Sequence, residues 1–292
     1  MRRIILIACL IVVLGSVFGT AVGVAETAPP PGTVSSNGGL KFSHQLAKEN
    51  FSGLKPKHGK AANFRPGRIV VETDPARVRS GKSSIRFQIQ PGDCGRSAGP
   101  GSWDDCKLRN ERIEVTTQGS TAKSSFYAFS VLLSRDFSAL QNYHPEVNLY
   151  QNYQYGSGAC FNIQYSIPRK ALHIQHRCVN GRYDHGSPKN TYVPGPTFDR
   201  WHEFVIYAKW SRGSDGVYRV LHNGKLVYSF SGATLAADAG SKIITNLFIY
   251  RYEGVGRTTT ASTAWFDDIV ASKSFSKISA RYPVSKAALG VR

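Results

Sequence analysis

The sequence predicts an all-β protein built as a two-sheet antiparallel β-sandwich. Three observations carry that prediction. Period-two alternation of apolar and polar residues recurs along the chain, Asn-Gly and similar turn signals join neighbouring runs, and no segment sustains a period near 3.6. In order, Ser84 to Gln90 alternates strictly, and so does Val147 to Gln151. A hairpin is centred on Pro168-Arg169-Lys170, with Ile163 facing Ile174 and Tyr165 facing Leu172. Phe204, Ile206, Ala208 and Trp210 share one face of a further strand. Val217 to Leu221 and Leu226 to Phe230 flank Asn223-Gly224, a strong two-residue hairpin turn. Ile243 to Tyr252 and Thr263 to Ser272 complete the set, and Ala233 to Ala239 allows at most short helical turns.

The ends of the chain differ from this pattern. Arg2 and Arg3, the apolar run Ile4 to Val13 and the small-residue site Gly23-Val24-Ala25 read as a signal peptide over residues 1–25. The apolar run is short and a Pro-rich stretch comes next, so a secreted or periplasmic protein without stable membrane insertion is expected. Residues 26–39 form a flexible leader, 40–275 the sandwich, and 276–292 a basic tail. A monomer is expected.

The net charge is +18, and +16 once residues 1–25 are removed with their two arginines. Such an excess suits polyanions. Export argues against nucleic acid and leaves acidic polysaccharide or an anionic surface. Cys9 leaves with the signal peptide, so Cys94, Cys106, Cys160 and Cys178 remain in an oxidising compartment. Four cysteines allow three pairings. The favoured one joins Cys94 to Cys106 around a Gly-rich loop and Cys160 to Cys178 beside the Pro168 hairpin, the second pair sitting one residue out of register unless a bulge repairs it. No zinc spacing, EF-hand loop or phosphate-cradling glycine motif occurs. No cofactor is therefore expected, beyond a structural Ca²⁺ at Asp267/Asp268, where turn chemistry is the plainer reading.

Several pieces occur together in one order. They are Gly81-Lys82-Ser83-Ser84-Ile85-Arg86-Phe87, Pro91-Gly92-Asp93, Arg109-Asn110-Glu111, Trp201-His202-Glu203-Phe204, Asn223-Gly224-Lys225, Leu247-Phe248-Ile249-Tyr250-Arg251 and Trp265-Phe266-Asp267-Asp268-Ile269. From Leu40 to Phe275 this order resembles the heparin lyase I-like and glucuronan lyase-like polysaccharide lyases, which share a concanavalin-like β-jelly roll with certain alginate lyases. The resemblance implies lysis of a uronate polymer by β-elimination. The paired acids that retaining glucanases of this fold need, in a Glu-x-Asp-x-x-Glu strand, are absent from the sequence.

Elimination requires a neutralised carboxylate at C6, a base for the C5 proton and an acid for the leaving O4. Arg, Gln, Asn and His suit the first task, because each donates to the carboxylate and to the aci-carboxylate formed from it. Tyrosine serves the other two if neighbouring guanidinium groups lower its pKa. By resemblance Arg109 is the carboxylate-binding arginine, with Glu111 on the same strand face orienting it. Arg112 points to the other face, and Ile113 stands where alginate lyases carry a further arginine. Gln151 matches the glutamine of a Gln-x-His element, with Tyr153 in the histidine position. His144, His173, His176 and His202 are possible replacements from other strands. Tyr250 matches the family's catalytic tyrosine and is the expected base and a candidate acid, and Tyr252 shares its face. Asn110, Glu111, Arg112 and Arg251 complete the substrate contacts. The alternatives to a lyase are a non-catalytic, lectin-like protein for acidic polysaccharides and a basic envelope protein, and an unsaturated product separates the lyase from both.

Overall fold

The computed structural model describes residues 51–52, 56–57, 67–95, 104–117, 120–121, 123–140, 145–179, 181–184 and 189–291. The expected signal peptide and leader lie outside them, as does His144. The strands are β1 (Phe51–Ser52), β2 (Pro56–Lys57), β3 (Ile69–Glu72), β4 (Ser84–Ile89), β5 (Glu111–Thr117), β6 (Ser124–Leu133), β7 (Glu146–Gln154), β8 (Gly158–Ser166), β9 (Ala171–His176), β10 (Cys178–Val179), β11 (Arg182–Tyr183), β12 (Lys189–Tyr192), β13 (Trp201–Lys209), β14 (Val217–His222), β15 (Lys225–Ser231), β16 (Ile243–Arg251) and β17 (Ser262–Ser272). A short helix, α1 (Ser276–Ser279), comes after β17.

Two sheets face each other. One runs β15-β14-β13-β6-β17-β4-β3 with β1 beside β17, and the other runs β12-β9-β8-β7-β16-β5-β2. All pairings are antiparallel except β1 with β17. Alternate residues of each strand fill the space between them. Ile85, Phe87 and Ile89 of β4, Phe129 and Val131 of β6, and Phe204, Ile206 and Ala208 of β13 meet Leu149, Ile163, Ile174 and Leu247 from the other sheet. Phe129 stacks on Tyr150 across the layers, ring centroids 4.8 Å apart. This is the sandwich the alternation predicted.

The Asn223-Gly224 turn has φ values of 47° and 77°, both left-handed, as a two-residue turn between twisted strands requires. The β8–β9 hairpin pairs Ile163 with Ile174 and Tyr165 with Leu172. Both expected disulfides form, Cys94–Cys106 and Cys160–Cys178. The one-residue offset of the second pair is absorbed at Arg177, which separates β9 from β10 and donates its backbone N–H to the Cys160 carbonyl at 2.8 Å. No helix forms over Ala233 to Ala239, where Leu235 and Ala236 are buried in an irregular segment.

The basic tail is a packed part of the fold. Ile278, Tyr282 and Leu289 are buried with Phe126, Ala128, Val205, Leu221 and Val270, on the side of the eight-stranded sheet that faces away from the core. The Tyr282 hydroxyl contacts Ser130 Oγ at 3.1 Å and donates to the Asp268 carbonyl at 3.0 Å. Arg79 and Arg281 pair with the Asp268 carboxylate, while Asp267 accepts the backbone N–H groups of Arg79 and Ser80 at 2.9 and 3.1 Å. The two carboxylates considered for Ca²⁺ are engaged by arginines and backbone, and they sit inside β17 at a bulge with Asp268 at φ 50°, not at the strand-end turn expected.

Candidate active site

On β16, Leu247 and Ile249 point inward while Asn246, Phe248 and Tyr250 point outward, and on β5 Ile113 and Val115 point inward while Arg112 and Glu114 point outward. Register then fixes which outward residues are neighbours. Tyr250 lies opposite Arg112 on one side and Asn148 on the other, Asn148 lies opposite Gln164, and Gln164 opposite His173. One row of polar side chains therefore crosses β5, β16, β7, β8 and β9: Arg112, Tyr250, Asn148, Gln164, His173. Asn246, Gln151, Asn162 and Gln175 form a second row.

A bulge makes the first row possible. Leu149 and Tyr150 of β7 both turn inward, and the pairing with β16 shifts between Leu247 and Tyr250. Asn148 and Gln151 therefore share the outer face despite their odd spacing. Gln151 and Tyr153 lie on the same face, as expected, but farther along the sheet from Tyr250. Gln151 is opposite Asn246 and Tyr153 opposite Ile244. At a rise of about 3.4 Å per residue, the strand position beside Tyr153 lies about 20 Å from Tyr250. The structure does not bring Tyr153 to the tyrosine.

Tyr250 is nine-tenths buried. The Arg112 guanidinium lies 4.2 Å from its ring centroid. Asn110 Nδ2 donates to the Tyr250 hydroxyl at 2.6 Å, and that hydroxyl donates to Asp105 Oδ1 at 3.3 Å. Asp105 also pairs with Arg112 at 2.8 Å, and Glu114 does so at 3.3 Å. Burial pushes the Tyr250 phenol above its ordinary pKa, more than the Arg112 charge pulls it down. The expectation that guanidinium groups would depress this pKa is overturned: Arg112 is already neutralised by two carboxylates, and desolvation wins. Tyr252 packs edge-on against Tyr250 with centroids 4.5 Å apart, and its hydroxyl accepts from Asn148 Nδ2 at 2.8 Å. Burial raises its pKa as well, opposed by the Asn148 hydrogen bond.

The two rows carry unused hydrogen-bonding capacity. Gln164 Oε1, Asn162 Oδ1, Asn246 Oδ1 and both ring nitrogens of His173 are buried without a hydrogen-bond partner among the described residues. His173 Nε2 lies 3.3 Å from Glu146 Oε1, near enough for an ion pair if the ring protonates but not aligned as a hydrogen bond. Buried polar atoms are rarely left so, and five on one sheet face mark a surface shaped for a polar ligand. Arg177 adds a cation here, donating to Gln175 Oε1 at 2.7 Å and influencing the Tyr183 and Tyr252 phenols.

Other expected residues lie elsewhere. Arg109 is not on a strand with Glu111. It is exposed at φ 61°, ending the turn that Cys106 opens, and reaches the Val255 carbonyl at 3.4 Å. Glu111 and Arg251 face inward and pair at 2.5 Å, 0% and 3% exposed. Glu111 also accepts from Gly92 N–H and the Thr258 hydroxyl, so the pair ties the sheet end together and does not reach the outer face. Arg112, expected on the face opposite Arg109, is the arginine that meets Tyr250. Of the candidate histidines, His176 bonds Tyr228 and the Cys178 carbonyl, and His202 bonds His222 and the Thr197 carbonyl. Among the described candidates, only His173 joins the row.

Sequence reasoning missed Asp105, Asn148, Gln164 and Arg177. The alternation of Phe161-Asn162-Ile163-Gln164-Tyr165 and Leu172-His173-Ile174-Gln175 held the clue, since one face is apolar and the other is amide and imidazole. Asp105 is set by the Cys94–Cys106 disulfide, which holds its backbone N–H 2.8 Å from the Gly95 carbonyl.

Residues 31–270 match the polysaccharide lyase family. The chain belongs to that family. This polysaccharide lyase is similar in structure to an endo-β-1,4-glucuronan lyase from the fungus Trichoderma reesei, with 18% identity, a TM-score of 0.54, and 79% of this chain covering 95% of that one. Two alginate lyases are also similar. One is from Pseudomonas aeruginosa, with 14% identity, a TM-score of 0.47 and coverage of 72% and 88%. The other is a member of polysaccharide lyase family 7, with 14% identity, a TM-score of 0.46 and coverage of 72% and 83%. No curated protein matches the chain. The glucuronan lyase similarity supports the jelly-roll sandwich, and family membership makes the protein a lyase.

Proposed function

We propose that this lyase cleaves a uronate-containing polysaccharide outside the cytosol by β-elimination on the polar row. The observation that carries the reading is the adjacency of two phenols, Tyr250 and Tyr252, to the amides of Asn148 and Gln164 and to the His173 imidazole, whose ring nitrogens have no hydrogen-bond partner among the described residues. Asn148 and Gln164 each use one amide N–H within the row and have a second to offer. With His173 they receive the substrate carboxylate and the negative charge that grows on it as the C5 proton leaves. Arg177 adds the positive field. Tyr252, whose phenolate Asn148 would stabilise, takes the C5 proton. Tyr250, which burial keeps protonated, gives its proton to O4 as the C4–O4 bond breaks and a C4–C5 double bond forms. Asn110, Asp105 and Arg112 hold Tyr250 in place. The jelly-roll likeness to a glucuronan lyase and the +18 charge support an acidic polymer, and the two disulfides support export.

Replacement tests the assignment. Tyr250→Phe keeps the ring and removes the proton, and the rate of unsaturated product formation should fall by the ~10²–10⁴-fold typical of a lost general acid. A Tyr250→Phe enzyme with wild-type rate would remove Tyr250 from the chemistry.

A further inference from the structure

We infer that the C-terminal segment builds a second, non-catalytic binding site for the acidic polymer on the far side of the sandwich from the polar row. The family match ends at residue 270, so the tail lies beyond it. Residues 273–292 contain Lys273, Lys277, Arg281, Lys286 and Arg292 and no Asp or Glu. Where this segment packs on the outward side of the eight-stranded sheet it leaves a cavity of about 550 Å³, within the range of small-ligand pockets. Phe126, Tyr207 and Phe275 form one wall, with Phe126 centroids 5.0 Å from Tyr207 and 5.5 Å from Phe275. Lys273 and Lys286 also line it, together with serines such as Ser124.

The chemistry of the lining selects the occupant. Among the described residues, no carboxylate side chain lines the cavity and neither lysine makes an ion pair. Two cations and aromatic rings lining one cavity fit carboxylated sugars, with ring faces on Phe and Tyr, carboxylates on the lysines and hydroxyls on the serines. A site of this kind, remote from the chemistry, would hold a polymer while the cleft works on another stretch of it. The inference rests on the uronate reading above.

The test uses the full chain and an unsaturated uronate tetrasaccharide isolated from its own digest. Calorimetric titration of wild type should show two bound tetrasaccharides per chain. Lys273→Ala/Lys286→Ala should lose one of them, or weaken it by roughly tenfold, the scale of a lost charge-assisted hydrogen bond. Its kcat should be unchanged while KM for long polymer rises, and its thermal midpoint should match wild type because both lysines are exposed. A double variant with the same stoichiometry, affinity and polymer KM overturns the second site and leaves the lyase reading standing. A wild type that yields no unsaturated product from any uronate polymer overturns the lyase reading, and the second site falls with it.

Discussion

Tyr250 shows how one residue's environment decides its role. An arginine 4.2 Å from the ring centroid would depress a phenol's pKa if its charge were uncompensated, but Asp105 and Glu114 claim that charge and burial does the rest. The same holds for Tyr252, whose burial outweighs its hydrogen bond from Asn148. A phenol raised above its ordinary pKa of about 10 is an acid at neutral pH and a base only in its small ionised fraction. The catalytic rate under saturating substrate should therefore climb with pH, by close to tenfold per unit between about pH 7 and 9, because the proton acceptor must first ionise. A pH–rate profile that is flat or falling over that range would show that another group accepts the C5 proton.

At the scale of elements, the tail and the bulge in β7 matter most. The tail seals apolar residues on the outward side of a sheet, and Ile278 is fully buried there. Ile278→Ala should cost about 2–5 kcal/mol of stability, as large-to-small core changes do. Urea unfolding followed by tryptophan fluorescence should show it, and a loss within error of zero would mean the tail is not part of the cooperative unit. Strands and hairpins such as β14–β15 were legible in the sequence because period-two alternation and Asn-Gly turns are local. The bulge was not. Leu149 and Tyr150 look like one inward and one outward residue, yet both enter the core, and only the pairing with β16 and β8 reveals it. That shift hid Asn148 from the site and misplaced Gln151 relative to Tyr250. Arg109 was misplaced for a related reason. The Cys94–Cys106 bridge and the turn after Asp104 end the loop at Arg109, so β5 begins two residues later. Tyr250 and Tyr252 were legible because the β16 alternation is unbroken.

The whole molecule carries a pH signature in its buried histidines. Burial lowers His176, His202 and His222 to about 4, against an ordinary value near 6.5. The unfolded chain binds these protons first as pH falls. The stabilisation is therefore complete above about pH 6.5 and is lost progressively toward pH 4. Asp105 and Asp267, raised by burial, act in the opposite sense as they protonate, and the three histidines outnumber them over the interval from about pH 6.5 to 5. The thermal midpoint should fall across that interval, and a midpoint that holds or rises would contradict the buried neutral imidazoles. Elimination from a uronate polymer at the Tyr250 row would show directly in the ultraviolet absorbance of the reaction mixture. Wild type and Tyr250→Phe are incubated with glucuronan, alginate, heparin and hyaluronan, and the unsaturated uronate product is followed with time. Absorbance should rise with wild type on at least one of these polymers and be nearly lost with Tyr250→Phe. No increase on any of them, or an equal increase from both proteins, would contradict elimination at Tyr250.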